Sequence, residues 1–202
     1  MIHSVSKSAA VPTDSHPTLI MLHGRGADEN DLFGFSRDLD NRLSIYSLRA
    51  PFEYEWGGYT WFNLFDDGTV DEASFDYSRN QILEFLSSLR SQKIFLFGFS
   101  MGAILSYALA LTDPQRYSGI ACLSGFAPLQ LEKHYKLTDM HDLQIFISHG
   151  VNDPVIPISS ARTTKHLLES SSARLHYHEY PMGHEISPQC FEDVNTWISS
   201  LL

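Results

Sequence analysis

Ser100 is framed by small residues in Gly98-Phe99-Ser100-Met101-Gly102. This pentapeptide follows the apolar run Ile94-Phe95-Leu96-Phe97 and leads into Ala103-Ile104-Leu105. A buried strand, a glycine-flanked serine and then a helix hold a hydroxyl on a sharp, strained bend. A serine hydroxyl is a poor nucleophile until a neighbouring base takes its proton, so the bend implies a base and an acid elsewhere in the chain. Downstream, His149-Gly150-Val151-Asn152-Asp153-Pro154-Val155-Ile156-Pro157 places Asp153 just past an apolar run. Further on, Tyr180-Pro181-Met182-Gly183-His184 places His184 just past the last predicted strand. In such an arrangement His184 takes the Ser100 proton and returns it to the leaving group. Asp153 would fix the tautomer of His184 and stabilise the imidazolium that forms.

The chemistry also needs donors for the oxyanion that develops on the acyl carbon. The backbone N–H of Met101 follows the nucleophile at the start of a helix and supplies one. The loop Leu22-His23-Gly24-Arg25-Gly26 follows an early apolar run, and its glycines free the backbone to turn an N–H inward. We assign the second donor to Arg25, through its amide rather than its guanidinium. Seven aromatics crowd the stretch from Phe52 to Phe65, with Gly57-Gly58 among them. Some must pack the core, while Trp61 and Phe62 are candidates for a wall that contacts substrate. His149 reads as structural, His176 and His178 as packing or surface, and Asp113 and Asp142 as helix-end and loop carboxylates.

The elements that position these residues alternate. Strands are predicted at Thr18 to Leu22, Ser44 to Leu48, Lys93 to Phe99, Gly119 to Leu123, Gln144 to Ser148 and Leu175 to Tyr180. Helical stripes fall at Ile82, Phe85, Leu86 and Leu89, and at Phe191, Val194, Trp197, Ile198 and Leu201. The second stripe is opened by Ser187-Pro188 as cap and first-turn proline. Further helices are expected from Ser159 to Glu169 and after Asp28, with Leu32, Phe35 and Leu39 inward. This alternation predicts a mostly parallel central sheet covered by helices on both faces, with ligands at the carboxyl ends of the strands. Residues 1–202 read as one domain, with no repeat and no linker. Residues 94–112 carry no charge and contain Gly98 and Gly102 four apart. They read as a central strand and a buried helix, not as a span with a dimerising face.

Composition narrows the function. The 202-residue chain is 43% hydrophobic and 19% charged, with a formal net charge of −10. These values predict a soluble globular protein that neither binds nucleic acid nor inserts stably into membranes. The two cysteines, Cys122 and Cys190, are expected as free thiols in a reducing compartment. Met1 to Pro12 holds no apolar stretch long enough for a signal peptide, and a cytoplasmic location is expected.

The chain resembles the phospholipase/carboxylesterase family of small α/β-hydrolases, which includes bacterial carboxylesterases and acyl-protein thioesterases. The resemblance covers nearly the whole chain. It rests on Leu22-His23-Gly24-Arg25-Gly26-Ala27-Asp28, Tyr59-Thr60-Trp61-Phe62, the Ser100 pentapeptide, the segment from His149 to Pro157, and Gly183-His184-Glu185-Ile186. It implies an α/β-hydrolase fold without a large lid domain and a small-molecule ester substrate. It further implies an acyl-enzyme mechanism that uses no cofactor and no metal. A homodimer is compatible with these readings. Thioesterase members usually carry Gln and two glycines after the nucleophile, where this chain has Met101, Gly102 and Ala103, and they often carry Leu at the position of Arg25. A guanidinium there could favour an anionic or polar substrate group. Ester hydrolysis is the main expectation, with thioesterase or lysophospholipase-like activity as the alternative on the same residues. Dienelactone-hydrolase-like enzymes share the fold but attack through cysteine, and Ser100 stands against them. A non-catalytic binding module would more often have lost one member of the set.

Overall fold

The computed structural model describes residues 2–10, 16–65, 69–91 and 93–202, so positions 1, 11 and 12 of the opening segment lie outside them. A seven-stranded sheet has the order β1-β3-β2-β6-β7-β8-β9. Its strands are β1 (Ser4–Lys7), β2 (Thr18–Leu22), β3 (Ser44–Leu48), β6 (Ile94–Phe99), β7 (Gly119–Leu123), β8 (Gln144–Gly150) and β9 (Arg174–Tyr180). Only β1 runs antiparallel, against β3; every other pairing is parallel. Strands β4 (Phe52–Glu53) and β5 (Tyr59–Thr60) form a separate hairpin.

Strands β2 and β7 are buried along their whole length, as are the first five residues of β6. Strands buried on both faces cannot show polar alternation, which explains the uninterrupted apolar runs. Alternate residues instead feed two cores. Leu96, Ile120, Ile145 and Ile147 pack with α2 (Glu72–Ser88), α3 (Met101–Thr112) and α4 (Ile158–Glu169). Phe95, Phe97, Ala121 and Phe146 face the other way, toward α1 (Glu29–Phe33) and α5 (Pro188–Ser200). This is the expected α/β-hydrolase architecture, with no large lid domain among the described residues. No helix among them is long and apolar enough to cross a membrane. Both cysteines are free and buried.

Some boundaries differ from the sequence reading. The helix expected after Asp28 ends at Phe33 and continues as a 3-10 turn, Gly34–Arg37, whose Phe35 stacks on Phe191 of α5. The helix read from Ile82 begins ten residues earlier, at Glu72, where Asp71 caps it. Its buried face there carries Ser74 and Ser78, and the Ser78 hydroxyl donates to the Trp61 carbonyl. Polar residues on the inner face hid those turns from a hydrophobic stripe. Leu89 caps the helix rather than extending it.

Between β6 and α3 the backbone bends at Ser100, which adopts φ 54° and ψ −116°. A non-glycine residue there carries strain of about 1–3 kcal/mol, so the surroundings must impose it. They do so by contact. A Cβ on Gly102 would lie 1.9 Å from the Leu22 carbonyl oxygen, and one on Gly98 would lie 2.4 Å from the Gly102 carbonyl oxygen. Only glycine lets α3 press this closely on β2 and β6. Gly102→Ala should therefore destabilise the fold by more than about 3 kcal/mol in denaturant unfolding. Gly34→Ala, where a Cβ meets nothing within 4 Å, should be neutral or stabilising by about 0.4–1 kcal/mol. Equal effects of the two changes would contradict this view of the elbow.

Candidate active site

The carboxyl ends of four parallel strands meet at one rim of the sheet. Strand β6 delivers Ser100, β8 runs into the loop holding Asp153, β9 into the loop holding His184, and β2 into the loop from His23 to Asp28. The acid and base loops are joined by backbone hydrogen bonds from Val151 to the Tyr180 carbonyl (2.9 Å) and from Asn152 to the Met182 carbonyl (3.2 Å). Residues 184 and 153 are thus brought together although 31 positions separate them.

The three residues form one hydrogen-bonded chain. The Ser100 Oγ lies 2.9 Å from His184 Nε2, and His184 Nδ1 lies 2.7 Å from Asp153 Oδ2. A carboxylate can only accept, so this pairing puts the proton on Nδ1 and leaves Nε2 free to receive one from the serine. The Asp153 side chain is fully buried. Burial alone would raise its pKa, but the hydrogen bond from His184 and the Ile156 and Val155 amides outweigh that and hold it below the ordinary value. The carboxylate therefore stays ionised in a dry setting, where it best stabilises a neighbouring imidazolium. The Phe99 ring lies 5.0 Å from the His184 ring and limits its swing.

His149 is fully buried, as its structural reading requires. Its Nε2 hydrogen-bonds the Ile156 carbonyl (2.7 Å) and lies 3.3 Å from Asp153 Oδ2. Its Nδ1 is buried with no hydrogen-bond partner among the described residues, so the bond to the Ile156 carbonyl places a ring proton on Nε2. The ring ties the end of β8 to the acid turn, a contact that position in the sequence does not reveal.

The two residues expected to supply oxyanion donors stand beside the serine. Arg25 and Met101 line the same cleft as Ser100, and a Cβ on Gly24 would lie 3.5 Å from the Ser100 Cβ. Among the described residues neither amide donates to a protein acceptor. Met101 is steadied through its sulfur, which accepts from the Thr60 hydroxyl at 3.2 Å. The Arg25 loop is held by His23, whose pKa is lowered by burial. Neutral His23 donates from Nδ1 to the Gly24 carbonyl (2.7 Å) and accepts at Nε2 from the Ala50 amide (3.0 Å). Sequence reading placed the loop but not this anchor, because a buried histidine leaves no periodic signal.

The cleft beside Ser100 measures about 520 Å³ and is largely apolar, lined by Phe62, Val70, Ile104, Phe126, Val155 and Ile156 among others. Phe62 is thus where the sequence reading put it. Trp61 is not: it is fully buried, absent from the cleft lining, and its indole N–H donates to the His23 carbonyl at 2.8 Å. The correction has a physical reason, since an indole that must satisfy its N–H while buried is fixed by the oxyanion loop and cannot face a ligand. Trp56, at the hairpin tip, is 80% exposed. No group of three or more His, Cys, Asp or Glu side chains among the described residues could hold a metal ion.

Just beyond the oxyanion loop, Glu29 is buried and receives two hydrogen bonds from Arg49, at 2.5 and 2.6 Å. These pull its pKa from 4.5 to about 2. A carboxyl depressed in the folded state contributes stability that is complete above about pH 4.5 and vanishes as pH falls toward about 2. The stability gap between the wild type and Glu29→Gln should narrow across that window in denaturant titrations at stepped pH. A gap independent of pH would remove this ion pair from the account.

The phospholipase/carboxylesterase family profile matches residues 6–202. The chain is 30% identical to acyl-protein thioesterase 1 of Saccharomyces cerevisiae, over 96% of each chain. It is also 30% identical to acyl-protein thioesterase 1 of Kluyveromyces lactis, over 70% of this chain and 68% of that protein. Among solved structures, the Bacillus cereus carboxylesterase superposes with a TM-score of 0.87 at 24% identity, covering 100% of this chain and 95% of that one. With the fold, the matched profile and these relatives in agreement, the chain belongs to the phospholipase/carboxylesterase family of serine hydrolases.

Proposed function

We propose that this protein is a serine carboxylesterase that cleaves small to medium acyl or aryl esters through an acyl-enzyme. The observation that carries the reading is the Asp153–His184–Ser100 hydrogen-bond chain opening onto an apolar cleft. Ser100 Oγ attacks the ester carbon as its proton passes to His184 Nε2, and the new oxyanion is held by the Met101 and Arg25 amides. Collapse breaks the bond to the leaving oxygen, which takes the proton back from His184. Water then enters by the same route, activated by the same imidazole, and releases the acid. The cleft size suits an acyl chain or aryl ring, whose burial supplies non-directional binding.

A second reading, thioester hydrolysis, is favoured by the names of the two yeast relatives. Met101 and Ala103 depart from the thioesterase pattern without removing a backbone donor, so ester cleavage leads. Parallel chain-length series of aryl esters and acyl-thioesters would order the two activities.

Ser100→Ala should lower kcat by roughly five to six orders of magnitude, because the members act as a unit. His184→Ala should fall nearly as far, and Asp153→Ala less. Initial rates on a short-chain aryl ester check this, and an active Ser100→Ala enzyme would refute the assignment.

A further inference from the structure

One charged side chain in the cleft has no role in the chemistry above. Arg25 is exposed, and among the described residues it is the only cationic side chain lining the cleft that holds Ser100. It also lines an adjoining cavity of about 280 Å³, which shares Phe62 and Leu64 with the cleft. Its guanidinium carbon sits 5.4 Å above the Tyr54 ring. Glu53 and Glu55 line the smaller cavity and Glu72 the cleft, yet none of them forms an ion pair with Arg25. By contrast Arg42, Arg49, Arg79, Arg162 and Arg174 each have a carboxylate partner. Among the described residues the guanidinium therefore rests on a ring face with its fork of N–H donors uncommitted, in the lining of the cleft that holds Ser100.

Resting on the esterase reading, we propose that Arg25 forms a carboxylate subsite, so that the preferred esters carry a free carboxylate a few bonds from the reacting carbonyl. The same residue offers its amide to the oxyanion, and this ties the reach of its side chain to the position of the ester. A planar guanidinium matches a carboxylate with two parallel hydrogen bonds. A monoanion fits better than a phosphate dianion, because Glu53, Glu55 and Glu72 surround the site and the chain carries a net charge of −10. That overall field repels anions, so any preference for one must come from Arg25 locally and should weaken with added salt.

The test compares monoethyl succinate with ethyl butyrate, two esters of similar length that differ in the carboxylate. Turnover is followed by proton release in the wild type, Arg25→Leu and Arg25→Lys. Both esters use the same backbone donor, so any disturbance of the oxyanion site cancels in their ratio. The ratio of kcat/KM, succinate over butyrate, should fall about tenfold in Arg25→Leu and less in Arg25→Lys. An unchanged ratio overturns the proposal. The same pair is compared as protectants against labelling of Ser100 by a fluorophosphonate, which reports binding whether or not either ester turns over. Better protection by the succinate, lost in Arg25→Leu, supports the subsite, and equal protection overturns it. A wild-type protein that does not label at Ser100 would defeat the esterase reading itself and this subsite with it.

Discussion

The closeness of three backbones at the β6–α3 bend underlies everything else in this molecule. Helix α3 starts against the carbonyl of Leu22 and against Gly98, with no room for a single methyl group between them. That contact forces Ser100 into φ 54°, and the strain is offset by the two cores that clamp β6 on both faces. One geometry yields two properties. The hydroxyl is set at the rim of the cleft, and the Met101 amide beside it has no protein acceptor among the described residues, while those of Ala103 and Ile104 close on the Ser100 carbonyl. Relaxing the bend would cost both.

The partners arrive on loops, yet those loops are tied to one another. Asp153 is wrapped by the amides of Val155 and Ile156 and bound by His184, with His149 behind it. The oxyanion loop is held from three sides, by the Ala50 amide on His23, by the Trp61 indole on the His23 carbonyl, and by backbone bonds between Gly26, Ala27 and Tyr59. Buried histidines thus act twice as connectors here, while a third joins the serine to the carboxylate. Their environments separate the roles: His23 and His149 are sealed, whereas His184 keeps 16% of its side chain open at the rim.

The reacting residues were legible in the sequence because Ser100 and Asp153 follow the apolar runs of buried strands, His184 follows an alternating, partly exposed strand, and their order suits one topology. The six parallel strands were legible, five as apolar runs and β9 by its alternation, to within a residue or two at each end. Strand β1 was not. Ser4–Lys7 is short and polar and becomes a strand only because β3 offers an unpaired edge. The aromatic stretch was legible as a cluster but not in its division of labour. Phe62 faces the cleft, Trp61 braces the oxyanion loop, Tyr54 carries the Arg25 guanidinium and Trp56 faces solvent. Which aromatic does which depends on the hairpin β4–β5 folding back over residues 24–27, a tertiary contact without a local signature.

The central claim is spatial: one serine, one imidazole and two amides from separate elements surround a single reacting carbon. The most direct measurement is a crystal structure of the fluorophosphonate adduct, whose phosphoryl oxygen stands where the oxyanion would. The account predicts phosphorus bonded to Ser100 Oγ, its oxygen at about 2.7–3.1 Å from the amides of both Arg25 and Met101, and His184 Nε2 still beside Oγ. An adduct oxygen turned away from those amides, or a phosphonyl group on another residue, would contradict it.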